Sequence, residues 1–298
     1  MARWPRGVRA LTAAVTAAAL TLPGGMAAAS APAAGSRPPA CRGPAPECVR
    51  EARRALEAVR DELRCDHRAP FPAIYVRLQE SLEAAVAGSG GFEEPSWLAG
   101  DLNTGFLSLY FDAYEADRAG RPVPEAWRAA FDAARRSDVN AGQDVLLGAN
   151  AHIQRDLPHV IAALGLTRPD GGSRKPDYDR FQAVLDRAHG PAVQDVARHY
   201  DPLVALADDR RNPLAGRTAG ELLRSWREQA WEHARQLAGA PDQRARDRVA
   251  RRIETNAGRW AGLLGTVRVP GYRAVRDTYC RSRGTRDGLP SASGAAGR

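Results

Sequence analysis

Between Glu47 and Leu264, apolar residues recur at three- and four-residue spacings almost without a break. That period leaves little room for any fold but a helical one. Val49, Ala52, Leu56, Val59 and Leu63 mark a first helix over 47–63. Ile74, Leu78, Leu82 and Val86 mark a second over 71–87. A third runs over 96–119, with Leu98, Leu102, Phe106, Leu109 and Ala113 as its buried stripe. A short one starts at Pro124, and a long one spans 143–166. Two modest helices, 178–188 and 191–200, are separated at Gly190. Two strong amphipathic helices, 221–237 and 242–264, follow. In the first of these, Leu223, Trp226, Ala230 and Leu237 face inward. Residues 266–269 are the only β-like scrap. The sequence predicts an all-α fold, a single domain of about eight or nine helices over 45–282. A chain of 298 residues, 44% hydrophobic, supplies enough apolar surface for one core.

The N-terminus reads as an address. Arg3, Arg6 and Arg9 precede an apolar run over 10–22, Pro23 breaks it, and small residues follow. This is the order of a secretory signal peptide, with cleavage expected after Ala29. The run is too short for a stable membrane anchor, so the mature protein is expected to be secreted. Residues 30–44 read as a Pro/Ala-rich lead-in and 283–298 as a disordered tail.

Four cysteines in an exported chain imply two disulfides. A continuous helix over 47–63 would hold Cys48 and Cys65 roughly 25 Å apart, against the 7 Å or so between Cα atoms that a disulfide allows. Pairing Cys41 with Cys65 would require the lead-in to double back along that helix. The remaining arrangement is Cys41–Cys48, a local clip, with Cys65–Cys280 joining the two ends of the domain. Zinc is the rival use, but no C-x-x-C pair supports it.

The formal charge of +8 raises the question of nucleic acid. Lys175 is the only lysine among 43 basic residues, and the arginines are interleaved with Asp and Glu, as in 244–254. Loss of Arg3, Arg6 and Arg9 with the signal peptide would lower the charge to +5. Scattered charge of this kind argues against a nucleic-acid partner.

The stretch 148–159 needs explaining. Leu146, Ile153, Leu157, Val160, Ile161 and Leu164 make an apolar arc, and Asn150 falls inside it. The opposite arc holds His152, Arg155, Asp156 and His159. His152 and Asp156 are four residues apart and His152 and His159 seven, so all three could meet one point on a helix. Such a face can bind a divalent metal, zinc or iron, or it can be the solvated side of an amphipathic helix. Asn150 among aliphatics costs free energy unless its amide finds partners, and Pro158 removes a bond from the helical ladder.

Residues 150–158, Asn-Ala-His-Ile-x-x-Asp-Leu-Pro, resemble the hallmark of domain-of-unknown-function family 5995. Leu109-Tyr110-Phe111, Pro124-x-x-Trp127 and Trp226-x-x-x-x-Trp231 agree with that pattern, and the resemblance spans about 71–264. It implies a helical fold and a shared site, with no reaction attached. In many relatives a second histidine stands at the position of Arg155, so Arg155 is a poor ligand. Tyr110 and Trp226 join the site candidates.

Asp101 and Asp112 flank the stripe of their helix about 16 Å apart, too far for a carboxylate pair. Asp112, beside Tyr110, is the better candidate for a third metal ligand. His199 and His233 are isolated, and His67 and His189 read as surface. No nucleophile elbow, H-E-x-x-H, phosphate loop or dinucleotide fingerprint is present. Two functions stand. One is a metal-dependent hydrolase with His152 and Asp156 as ligands, joined by His159 or Asp112. The other is a non-catalytic protein that binds a small molecule or partner, with Asn150, His152 and Asp156 as a structural network.

Overall fold

Pro44 starts the first helix because its fixed φ of −57° and missing N–H suit a helix entry. The structure, a computed structural model, describes Cys41 and residues 43–88, 91–207, 213–268 and 270–284. The expected signal peptide, nearly all of the lead-in and nearly all of the tail lie outside the described residues.

The elements are α1 (Ala45–Leu63), α2 (Pro70–Ala87), a π-helical stretch (Ser96–Leu102) running into α3 (Asn103–Arg118), and α4 (Glu125–Arg136). Next come α5 (Ala141–Ala149), a second π stretch (Asn150–Asp156) and α6 (Leu157–Leu164), which together form one rod. They are followed by α7 (Lys175–Arg180), α8 (Gln182–His199), a 3-10 turn (Pro202–Ala207), α9 (Pro213–Ala238), α10 (Gln243–Leu264) and α11 (Tyr272–Gly284). With continuous pieces merged, and with α7 and α8, parted only by Phe181, counted as one, the described residues hold nine helical rods and no strand; one bridge, Thr167 to Ser173, closes a loop. The all-α expectation holds.

Caps set several boundaries. Asn140 and Gln143 form a reciprocal capping box at the start of α5. Asp242 accepts from the Ala245 N–H at 2.7 Å and starts α10. Gly165, at φ 83°, ends α6 in a conformation that glycine adopts without strain.

The local differences from the sequence reading have physical causes. The π stretch before Asn103 inserts extra backbone, so the stripe behind it slips by one residue. Leu107, Tyr110, Phe111 and Tyr114 are buried, while Phe106 and Leu109 are only partly so. Helix α8 runs through Gly190 and Pro191 without ending. Residues 266–268 are not strand, and α11, absent from the sequence reading, follows them. His67 is buried, because Arg276 on α11 donates to it at 2.9 Å.

Both disulfides pair as expected, Cys41–Cys48 with Cα atoms 5.4 Å apart and Cys65–Cys280 with 5.8 Å. The second ties the end of α1 to α11. Beside it Arg276 reaches into the core and donates to Asp144 Oδ2 at 2.7 Å and to the Val139 carbonyl at 2.8 Å.

The α5–π–α6 rod carries the motif. It packs against α2, α3, α4, α9 and α10 and carries residues of both principal apolar clusters. At Gly148 the rod meets the Phe71 ring so closely that a Cβ would lie within the ring's van der Waals envelope.

Candidate functional site

Pro158 lacks the N–H that would continue an α-helical ladder, and its ring would crowd the carbonyl four residues back. The chain resolves this by widening the turn before it: the Leu157 N–H bonds back to the His152 carbonyl, five residues away. Wheel arithmetic at 3.6 residues per turn does not apply to such a stretch. There is also no solvent on either side of it. Asn150, Ala151, His152, Ile153, Gln154 and Asp156 are all buried, and Arg155 alone is partly exposed. The solvated-face reading of this arc is therefore corrected: a helix enclosed on all sides has no outer face.

His152 and Asp156 do meet. Nδ1 of His152 lies 3.2 Å from Asp156 Oδ2, and both residues have no exposed surface. The same oxygen accepts from the Trp127 indole N–H at 2.8 Å. The other, Oδ1, accepts from Arg155 at 2.9 Å, and Arg155 also binds Glu254 at 2.7 Å. Burial depresses the His152 pKa below the ordinary imidazole value, so the ring is neutral at pH 7. A neutral ring beside an acceptor-only carboxylate donates through Nδ1, which leaves Nε2 as a bare acceptor. Nε2 has no partner. The ring stacks on Phe106 with centroids 3.4 Å apart, and Phe71, Tyr75 and Trp127 surround it at 5.2–5.9 Å.

The polar residues on either side of the pair are tied to neighbouring helices. Asn150 donates to the Ala257 carbonyl of α10 at 2.9 Å. With its amide oriented to satisfy its neighbours, the Gln154 oxygen accepts from the indole N–H groups of Trp226 and Trp260, both at 2.9 Å. Tyr110 packs its ring on Phe71 and Trp127. Tyr110, Trp127 and Trp226, distant in sequence, thus converge on the motif rod.

The other sequence candidates do not join this pair. Asp112 is exposed on α3. His159 is half-buried on α6, its pKa lowered by burial and by the nearby Arg155 charge. Among the described residues no three His, Cys, Asp or Glu side chains gather where a metal could sit. The pair itself does not fit a divalent ion. Both carboxylate oxygens are committed to protein donors, one of them a guanidinium whose charge repels a cation.

A pocket of about 50 Å³ opens beside the rod, space for roughly four waters. Its wall is mostly apolar, from Leu78, Leu98, Leu102, Phe106, Ile153, Leu157, Phe181 and Leu185. Polar groups come from Tyr75, Asn103, Tyr178 and Arg227. Asn103 is held by a reciprocal amide pair with Gln79, at 2.8 and 3.0 Å. Phe106 and Tyr75 are shared, since each also touches the His152 ring. Sequence reading missed Arg227. The signal was there: Arg227 stands four residues after Leu223 and three before Ala230, a charge on the inward stripe of α9.

A buried polar network thus runs along one rod of an all-helical bundle, beside a small pocket. The chain belongs to the family of unknown function DUF5995, whose model matches residues 49–267. The match begins inside α1 and ends just past α10. No curated protein and no solved structure matches the chain.

Proposed function

We propose that this is a secreted, non-catalytic binding protein that holds a small, largely apolar molecule in the pocket between α2, α3, the motif rod and α9. On this reading the Asn150–His152–Asp156 network is the frame that fixes the pocket wall. One observation carries the choice over a metal-dependent hydrolase: His152 and Asp156 have no exposed surface, and protein donors already occupy both carboxylate oxygens. A water held for hydrolysis would need open coordination positions on a metal, which a sealed pair with a spent carboxylate does not supply. The pocket, in contrast, is open and apolar with a few fixed polar groups, the usual make-up of a small-molecule site. Two disulfides suit an oxidising compartment and support export.

One feature favours an enzyme. An imidazole held by a carboxylate through Nδ1, with Nε2 bare, is the arrangement of a general base. Phe106 lies face-on against the ring and separates it from the pocket, so this reading also requires Phe106 to move.

Titration with butanol and hexanol, followed by methyl NMR, tests the binding proposal. The expected shifts fall on Leu98, Leu102, Ile153 and Leu157, and Leu102→Phe weakens them by filling the pocket. An unresponsive wild type, or shifts spread over the whole surface, would refute it.

A further inference from the structure

Arg227 is only 6% exposed, on an inward stripe, and borders an apolar cavity. Its guanidinium carbon lies 4.2 Å from the Tyr178 ring centroid and 5.2 Å from that of Phe181. Nη2 donates to the Tyr178 carbonyl, and the Tyr178 hydroxyl donates back to the Arg227 carbonyl at 2.7 Å. The arginine is therefore fixed in place by aromatic stacking and one backbone carbonyl. Among the described residues no carboxylate pairs with it. Elsewhere in the molecule deeply buried arginine charge is matched, as Arg276 is by Asp144 at 2.7 Å.

A buried charge without a partner is costly. A guanidinium offers five donors in a planar fork that matches a carboxylate, and a single carbonyl engages only part of it. The other polar groups that line the pocket are uncharged: Tyr75, Tyr178 and the amide of Asn103. Burial raises the Tyr75 hydroxyl above its ordinary pKa, so it remains a neutral donor. The rest of the wall is aliphatic and aromatic. The site therefore offers one fixed positive fork, neutral hydrogen-bonding groups and an apolar surface.

We infer that the pocket takes a small apolar monocarboxylate, with its carboxylate on Arg227 and its hydrocarbon body against Leu98, Leu102, Phe106 and Ile153. This rests on the binding-protein reading above and adds the charge and chemical class of the ligand. The ligand supplies the counter-charge that the fold withholds. At about 50 Å³, against roughly 150 Å³ for a cavity that takes benzene, the space limits the enclosed part to a short aliphatic chain.

The test compares butyrate and hexanoate with butanol and hexanol by calorimetry on the full chain at fixed ionic strength. Wild type is expected to bind each acid at least tenfold more tightly than its alcohol. Arg227→Gln should lose that preference while still binding the alcohols, which also reports that its pocket is folded. Arg227→Lys keeps the charge without the fork and should fall between the two. If Arg227→Gln fails to fold, the acid-to-alcohol ratios of wild type and Arg227→Lys decide. Equal binding of acid and alcohol by wild type overturns this inference and leaves the binding-protein reading standing. Binding of neither overturns both. Chloride or phosphate competing as well as hexanoate would show an inorganic-anion site and overturn the monocarboxylate assignment.

Discussion

Replacing Asp156 by alanine separates a structural pair from a functional one. The carboxylate accepts from the Trp127 indole, from His152 and from Arg155. In Asp156→Ala the first two donors remain in residues with almost no exposed surface and have nowhere else to bond. Each orphaned buried donor costs about 1–3 kcal/mol. Arg155 keeps Glu254 and adds little. The expected loss is about 3–5 kcal/mol, near that for removing one partner of a buried ion pair and a large share of a typical domain's 5–15 kcal/mol or so. Urea unfolding measures it, read from the midpoint at constant slope. Removing a carboxylate that served only catalysis or metal binding should cost little or even stabilise, because such sites are often held at the expense of stability. A loss below about 1 kcal/mol with unchanged slope would refute the structural account.

Other expectations follow from the same contacts. Trp127→Phe removes one of the three donors to Asp156 and should cost about 1–3 kcal/mol in the same urea assay. Gly148→Ala forces a methyl into the Phe71 ring and should cost about 1–3 kcal/mol by overpacking, visible as a lower melting temperature. Burial lowers the His152 pKa, so the unfolded chain takes up a proton there near pH 6.5 before the folded chain does. Stability that is present above this pH is lost as pH falls toward the folded value. His152→Leu should therefore lose less stability than wild type between pH 7 and pH 5, the two slopes differing by at most about 1.4 kcal/mol per pH unit. Cys65→Ser with Cys280→Ser opens a loop closed over 215 positions and should cost about 2–5 kcal/mol, more than opening the seven-position clip at Cys41–Cys48.

Much of the fold was legible because helical period and helix length are local properties. The stripe of Val49, Leu56 and Val59 defined α1, and the length of α1 then decided the disulfide pairing. What local arithmetic could not supply was the environment of the motif rod. The wheel separated Asn150 from His152 correctly only if one side faced water. The π stretch, and the enclosure by α3, α4, α9 and α10, are tertiary facts. Pro158 was the visible clue to the irregular turn, and Trp127 gave no sign in sequence that it would hold Asp156. Arg227 was legible on the stripe of α9 but meant nothing until Tyr178 and the pocket were placed around it. Helix α11 escaped because its short amphipathic pattern, Tyr272, Val275, Arg276 and Tyr279, carries its buried contact on an arginine.

On the proposed reading the His152–Asp156 pair is a sealed frame and not a metal or catalytic centre. Imidazole nitrogen NMR of the full chain, recorded across pH 5–8 with and without excess zinc, addresses it most directly. The account predicts that His152 stays in the neutral form protonated at Nδ1 throughout pH 7–8, with zinc leaving both of its nitrogen shifts unchanged. A zinc-dependent shift at His152 Nε2 in the folded protein would contradict it.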